Sequence, residues 1–307
     1  MSKYHKKSGQ RTDNLDEGKS LKERILNHWV IVLLSLAFGG LAAIATAISN
    51  FDQISRLIFG TPVEISDVTN NLASESLELR IKGANDSSKL RNASHDVLDT
   101  ALQVLSATIQ KRSKDPATQM PRDVEAALES ISKLLNAADK RSLKVVVPEF
   151  EGLNYSFADM HGLYLRGITI RKSSLEDANL DGANLTEAKL QNVALSRARF
   201  QGAILSSAEI YSSCLENADF RRATLVSTRV ESSDLNGANF ENATLDGSKF
   251  MNSRLGYASF KEAGLRKADF SSALNLTKAQ LEGGRQRQNV IWPEEQNRIS
   301  RLTTCKE

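Results

Sequence analysis

From residue 150 onward every fifth position is apolar. The series runs Phe150, Tyr155, Met160, Leu165, Ile170 and onward without a break to Leu265 and Phe270. A period of five matches neither the 3.6 of an amphipathic helix nor the 2 of a half-buried strand. It fits a coil with flat sides, one repeat per side, each side turning one large residue inward. Two residues before each centre the chain asks for something small. Between Ser173 and Ala273 those 21 positions hold 14 Ala and five Ser, with Val193 and Thr228 as exceptions. Each side therefore brings one large and one small side chain to a narrow interior.

A second period sets the number of sides. Phe200, Phe220, Phe240 and Phe260 are spaced by 20, and so are Leu185, Leu205, Leu225 and Leu245. If four repeats close one turn, Phe stacks on Phe and Leu on Leu up the interior. Such like-on-like stacking belongs to a solenoid with rungs about 4.8 Å apart, giving roughly 30 Å of rod for about six turns.

The unit A-(N/D)-L-x-x, as in Ala178-Asn179-Leu180-Asp181-Gly182, resembles the pentapeptide-repeat family. The resemblance covers residues 150–275 and implies a mainly β chain, a right-handed quadrilateral β-helix. Arg122 to Leu128 is similar to the helix that precedes the repeats in membrane-attached bacterial members. Leu163 and Ile168 stand where Ala is usual, which points to wider or irregular first turns. The repeats end at Ala273-Leu274-Asn275-Leu276, and Thr277 with Gln280 is spaced as the capping box of a short closing helix.

Upstream the periodicity turns helical. Ser94 is placed to cap a helix whose apolar face is Val97, Leu98, Ala101, Leu102, Leu105 and Ile109. Pro121 suits the first turn of another, with Val124, Ala127, Leu128, Ile131, Leu134 and Leu135 on one face. The pair predicts an α-hairpin. Leu77 to Ile81 alternates as a strand would, and Ser87-Ser88 reads as a loop.

Trp29 to Ile48 holds 20 residues with no charge, Asn, Gln or Pro, long enough as a helix to cross about 30 Å of bilayer core. The mixed, 28-residue leader ahead of it argues for an uncleaved anchor over a signal peptide. Residues 1–28 carry seven Lys and Arg, and the 20 residues after the span carry only Arg56. The positive-inside rule then puts the N-terminus in the cytoplasm of a single-pass inner-membrane protein, with the repeats on the opposite side. The expected organisation is a basic tail (1–28), a transmembrane helix (29–48), a helical stem (49–144), the β-helix (145–276), and a cap helix with tail (277–307).

Composition sharpens this in two places. Only 6% of residues are aromatic, and seven of the 11 Phe occupy repeat centres, so the core is narrow and linear. The net charge of +3 is a sum of +3 in residues 1–28, where seven basic residues face four acidic ones, −1 in 29–149, −1 in 150–275 and +2 in 276–307. Residues 150–275 carry 15 acidic and 14 basic side chains, a net of −1. A near-neutral rod disfavours both a DNA mimic, which some relatives of this family provide for topoisomerases, and direct nucleic-acid binding.

No chemistry-bearing motif emerges. His5, His28, His95 and His161 are scattered, and no phosphate loop, nucleophile elbow or dinucleotide fingerprint is present. Neither a cofactor nor enzymatic activity is expected. Cys214 reads as a surface or turn thiol. The recurrent Asx residues before the centres (Asn179, Asn184, Asp219, Asp234, Asn239, Asp269) read as turn-forming rather than catalytic. Lys189, Glu209, Arg229, Lys249 and Asp269 predict a charged ladder on one side. On the side backed by the Leu stack, Ile204, Ser206, Thr224, Val226 and Thr244 form a nearly uncharged patch, suited to an as yet unidentified protein partner or a second copy of this chain. The reading is a rigid protein-binding or scaffolding module on a membrane anchor. An inhibitor or immunity-type module acting on a cytoplasmic enzyme is the alternative, and it requires the opposite topology.

Overall fold

The computed structural model describes residues 65–74, 76–113 and 120–292. The Trp29–Ile48 span and the basic tail lie outside the described residues, and none of the described helices is long and apolar enough to cross a membrane.

Four helices come first. They are α1 (Ile65–Ala73), α2 (Leu77–Ser87), α3 (His95–Arg112) and α4 (Arg122–Lys140), with a 3-10 turn at Ser88–Asn92. The strand-like alternation over Leu77–Ile81 is overridden. Ser76 sits as N-cap and accepts a hydrogen bond from the Leu79 amide, while Leu79 is 40% exposed. Gly83 then presses on α1, where an added Cβ would meet Asn71 Cβ at 2.9 Å. Five alternating residues are too few to outweigh a cap and a close helix crossing. The predicted faces of α3 and α4 are buried, except that Val97 is half-buried. Asp123, fully buried at the start of α4, lies 2.6 Å from Arg80 Nε and 3.4 Å from Arg112 Nε, tying α2, α3 and α4 together.

Next comes a parallel sheet of six strands in sequential order: β1 (Glu149–Glu151), β2 (Thr169–Ser174), β3 (Lys189–Ala194), β4 (Glu209–Tyr211), β5 (Arg229–Glu231) and β6 (Lys249–Met251). Every pairing steps by 20 residues, as in Phe150↔Ile170 and Val230↔Phe250. The other three sides are linked by isolated bridges of the same step, such as Asn179↔Arg199, Ile204↔Thr224 and Cys214↔Asp234. Four five-residue sides therefore make one turn. All the predicted centres are buried, none more than 3% exposed.

Corners follow from the same unit. Two residues after a centre the backbone enters the left-handed region, as at Gly182 (φ 65), Asn217 (φ 57) and Arg222 (φ 58), and at three of the four corners the next amide returns to the centre's carbonyl, as Ala183 N to Leu180 O at 3.1 Å. That next residue points inward where sides meet, which is why it is Ala or Ser. Four of the five Ser share one corner column. Ser173 Oγ accepts from Leu153 N, Ser213 from Val193 N, Ser233 from Ser213 N and Ser253 from Ser233 N, at 3.0 to 3.2 Å.

The first turns are not irregular, contrary to the expectation from Leu163 and Ile168. They keep the step of 20, as in Asp159↔Asn179 and Tyr164↔Asn184. The larger side chains are absorbed because the stem packs there. Ser132 Oγ of α4 accepts the Tyr164 amide at 2.7 Å, and Gln110 Oε1 of α3 accepts the Glu151 amide at 3.0 Å. These amides belong to the first coil, so side chains stand in for a preceding rung and the solenoid edge is covered.

At the other end α5 (Lys278–Glu282) closes the rod with the expected Thr277–Gln280 box. The ladder does not stop with the repeat sequence at Leu276. Gly264 pairs Arg285 and Asp269 pairs Ile291, at steps of 21 and 22, so residues beyond α5 add a partial rung.

Candidate protein-binding face

The interior stacks place the faces. Phe200, Phe220, Phe240 and Phe260 lie ring on ring with centroids 4.7 to 5.0 Å apart and planes within 8°. A second stack, Phe250 on Phe270 at 5.0 Å, was not anticipated, and it meets the first edge-on at 5.4 to 5.8 Å. Leu185, Leu205, Leu225 and Leu245 fill the neighbouring side and are at most 1% exposed. Rigid stacking leaves the outer surface of each side flat and fixed.

On the Leu-backed side the five residues singled out from sequence are brought together. Ile204, Thr224 and Thr244 occupy successive rungs of one bridge column, and Ser206 and Val226 stand beside them in the next outward column. The backbone under them is bonded throughout: Leu205 N to Thr224 O at 2.7 Å, Leu225 N to Thr244 O at 2.7 Å, and Thr224 N to Ala203 O at 2.9 Å. What remains for a partner is side-chain surface. Ile204 is 40% exposed, a branched apolar side chain left in solvent. Ion pairs bound the patch along the rod. Arg166–Glu187 at 2.9 Å lies at the stem end and Arg266–Asp246 at 2.8 Å at the cap end.

The remaining sides are charged. Arg197 embraces Asp177 with contacts at 2.7 and 2.8 Å, which raises its guanidinium pKa further. Arg199 pairs with Asp181, and Arg254 with Asp234 at 3.3 Å. In the charged ladder expected from sequence, Lys189 meets Glu209 at 3.9 Å. The Asx residues act in turns. The side chains of Asn179, Asn184, Asp234, Asn239 and Asp269 each accept the amide two residues on, at 2.9 to 3.2 Å. Asp219 does the same for Arg221. Its partial burial would raise its pKa, but hydrogen bonds from the Arg221 and Gln201 side chains and from the Arg221 amide hold it down to about 2.

Cys214 corrects the sequence reading, which had it as a surface or turn thiol. It is half-buried and disulfide-bonded. The cap end holds a shallow groove, lined by Asn236, Gly256, Tyr257, Asn275, Thr277 and Gln280, with Tyr257 95% exposed at a left-handed corner. A bulky residue at a corner position is the one sequence signal that could have found it. Among the described residues no group of three or more His, Cys, Asp and Glu is gathered at metal-binding distance.

Residues 156–186, 183–222 and 213–252 match the family model described as pentapeptide repeats, eight copies. No curated protein matches the chain. Among solved structures, QnrB1, a plasmid-mediated fluoroquinolone resistance protein, is 19% identical over 48% of this chain and 83% of its own, with a TM-score of 0.35. HetL, a pentapeptide repeat protein involved in heterocyst differentiation regulation from the cyanobacterium Nostoc sp. strain PCC 7120, is 25% identical over 48% of this chain and 77% of its own, at 0.22. A pentapeptide repeat protein from the Arabidopsis thaliana thylakoid lumen is 27% identical over 33% of this chain and 70% of its own, at 0.23.

Proposed function

We propose that this chain, a carrier of pentapeptide repeats, is a non-enzymatic, membrane-anchored bacterial protein whose rod is a rigid protein-binding or scaffolding module. The observation that carries the reading is the patch of Ile204, Ser206, Thr224, Val226 and Thr244. It is flat, uncharged and held in register by the bridge ladder, on a rod whose other outward columns bear ion pairs. A rigid face loses little conformational entropy when it docks, and an uncharged one needs little desolvation. The occupant is a partner protein or a second copy of this chain.

The anchor is the Trp29–Ile48 span, with the N-terminus in the cytoplasm and the rod across the inner membrane. A reporter active on one side only, fused after Glu307, tests this, and cytoplasmic activity would reverse the orientation.

Thr224→Lys with Val226→Lys tests the face. Two ammonium groups in neighbouring columns of one rung would have to be desolvated at the contact. The double variant is expected to lower the oligomeric mass in detergent or to abolish partner capture. Wild-type behaviour in both measurements would remove the reading.

A further inference from the structure

We propose that the cap-end groove beside Tyr257 is a binding site for an uncharged pyranose unit of a glycan. Tyr257 is an unfavourable choice for its position. Its backbone is left-handed (φ 60) and its side chain is 95% exposed, so neither the turn nor the core calls for a phenol ring there. Among the described left-handed residues only Phe157, at the other end of the same corner column, is also aromatic. Strain kept without any packing points to a role outside the fold.

The ladder stops at the same residue. Lower in this corner column each amide donates to a carbonyl of the next rung, as Asn217 N to Asn236 O at 2.9 Å and Gly237 N to Gly256 O at 2.8 Å. Tyr257 N has no such partner among the described residues, so a donor is left open on the cap side. Gly256 makes the floor. A Cβ there would meet Asn236 Oδ1 at 2.8 Å and Asn275 Cβ at 3.5 Å, so two amides flank bare backbone, one from the rung below and one from the rung above. Asn236 Oδ1 accepts the Gly256 amide at 2.9 Å, which leaves its NH2 group for a ligand. The lining carries no charge, and the groove measures about 640 Å³, the scale of a small-molecule site.

These features fit one chemistry. A pyranose ring offers a face of C–H bonds polarised by neighbouring oxygens, which sits on the electron-rich face of the Tyr257 ring. Its rim of hydroxyls both donates and accepts, as the Asn275 amide and the Tyr257 hydroxyl do. The open Tyr257 N–H takes a hydroxyl or ring oxygen. Phosphates and carboxylates are disfavoured, because no counter-charge lines the groove.

The full chain in a sugar-free detergent is mixed with chitotriose, cellotriose or maltotriose, and saturation transfer from protein to sugar protons is recorded by NMR. Transfer to the ring C–H protons of at least one trisaccharide is expected. Tyr257→Asn should remove it, and Asn275→Gly should weaken binding about tenfold. Asn and Gly both suit a left-handed backbone, so both variants should melt with the wild type. Phe157→Asn, which removes the aromatic at the far end of the column, should leave transfer unchanged. Cosedimentation with purified cell-wall sacculi, competed by the trisaccharide, assigns the site to a polymer, and transfer without cosedimentation assigns it to free saccharides. Absence of transfer to all three sugars overturns the site, and so does transfer that survives Tyr257→Asn. The lysine substitutions at the Leu-backed patch lie on another side of the rod, so the two readings fail separately.

Discussion

The side-chain amide of Gln280 donates to the main-chain carbonyl of Ala258 at 2.8 Å and to that of Leu255 at 3.2 Å. Its oxygen meanwhile accepts from the Thr277 amide at 2.9 Å. One residue thus caps α5, shares the Leu255 carbonyl with the Ala258 amide, and occupies the Ala258 carbonyl, whose counterpart on the preceding rung, at Ala238, accepts an amide of the next rung. Gln280→Leu keeps the volume and loses every one of these bonds. We expect it to cost about 1–3 kcal/mol and to promote end-to-end association, read by denaturant titration and by light scattering of the folded protein. A monodisperse variant of wild-type stability would contradict this role.

Phe220 lies between Phe200 and Phe240 with centroids 4.7 and 5.0 Å away, and is fully buried. Phe220→Ala opens a cavity whose walls are stacked rungs unable to collapse on one another. A loss of about 3–5 kcal/mol is expected. Phe220→Leu should cost less, since Leu already fills the same column at Leu180. Thermal melting of both variants checks the order.

Two corner glycines separate backbone strain from crowding. Gly182 (φ 65) has nothing within 4 Å of an added Cβ, whereas a Cβ on Gly237 (φ 72) would collide with the side-chain oxygen of Asn217. Gly182→Ala should cost about 1 kcal/mol from the left-handed backbone alone. Gly237→Ala should cost more, about 2 kcal/mol. Gly182→Asn should be milder than Gly182→Ala, because Asn already holds this conformation at Asn217 and Asn242. Equal melting temperatures for the two Ala variants would refute the crowding argument.

Asp219 gives the rod a segment of its acid sensitivity. Its folded pKa of about 2 lies below its ordinary value of 3.8, so the unfolded chain takes up its proton first as pH falls. The contribution of Asp219 to stability is full above about pH 4 and is lost as pH drops toward 2. It is small, because the carboxylate is half-exposed and screened. Asp219→Asn should flatten the stability profile between those pH values and leave its slope above pH 5 unchanged.

Asp123 tests the stem. It is fully buried between Arg80 and Arg112, and Asp123→Ala would leave both guanidinium groups without that counter-ion. A loss of about 3 kcal/mol is expected, concentrated in α2, α3 and α4. Hydrogen exchange should show those helices opening while the mid-rod rungs stay protected.

The period of five and its superperiod of 20 were legible in the sequence because a solenoid repeats one local environment. Each centre meets the same interior, so its residue type recurs and the step between rungs can be read directly. The five patch residues were placed together by adding 20, and the structure sets them on adjacent rungs. The α3 and α4 faces were legible for the same local reason, each burying a continuous stripe. Other features depend on groups far apart in sequence. Leu77–Ile81 became a helix because Gly83 meets α1, and the early Leu and Ile were accommodated because α4 reaches the first turns. The rung at Arg285 and Ile291 likewise follows from which distant groups close on the last turn. Periodicity determines a rod and its faces, since its energies come from nearest neighbours. What covers the ends depends on contacts no repeat encodes, and the tertiary structure alone decided those.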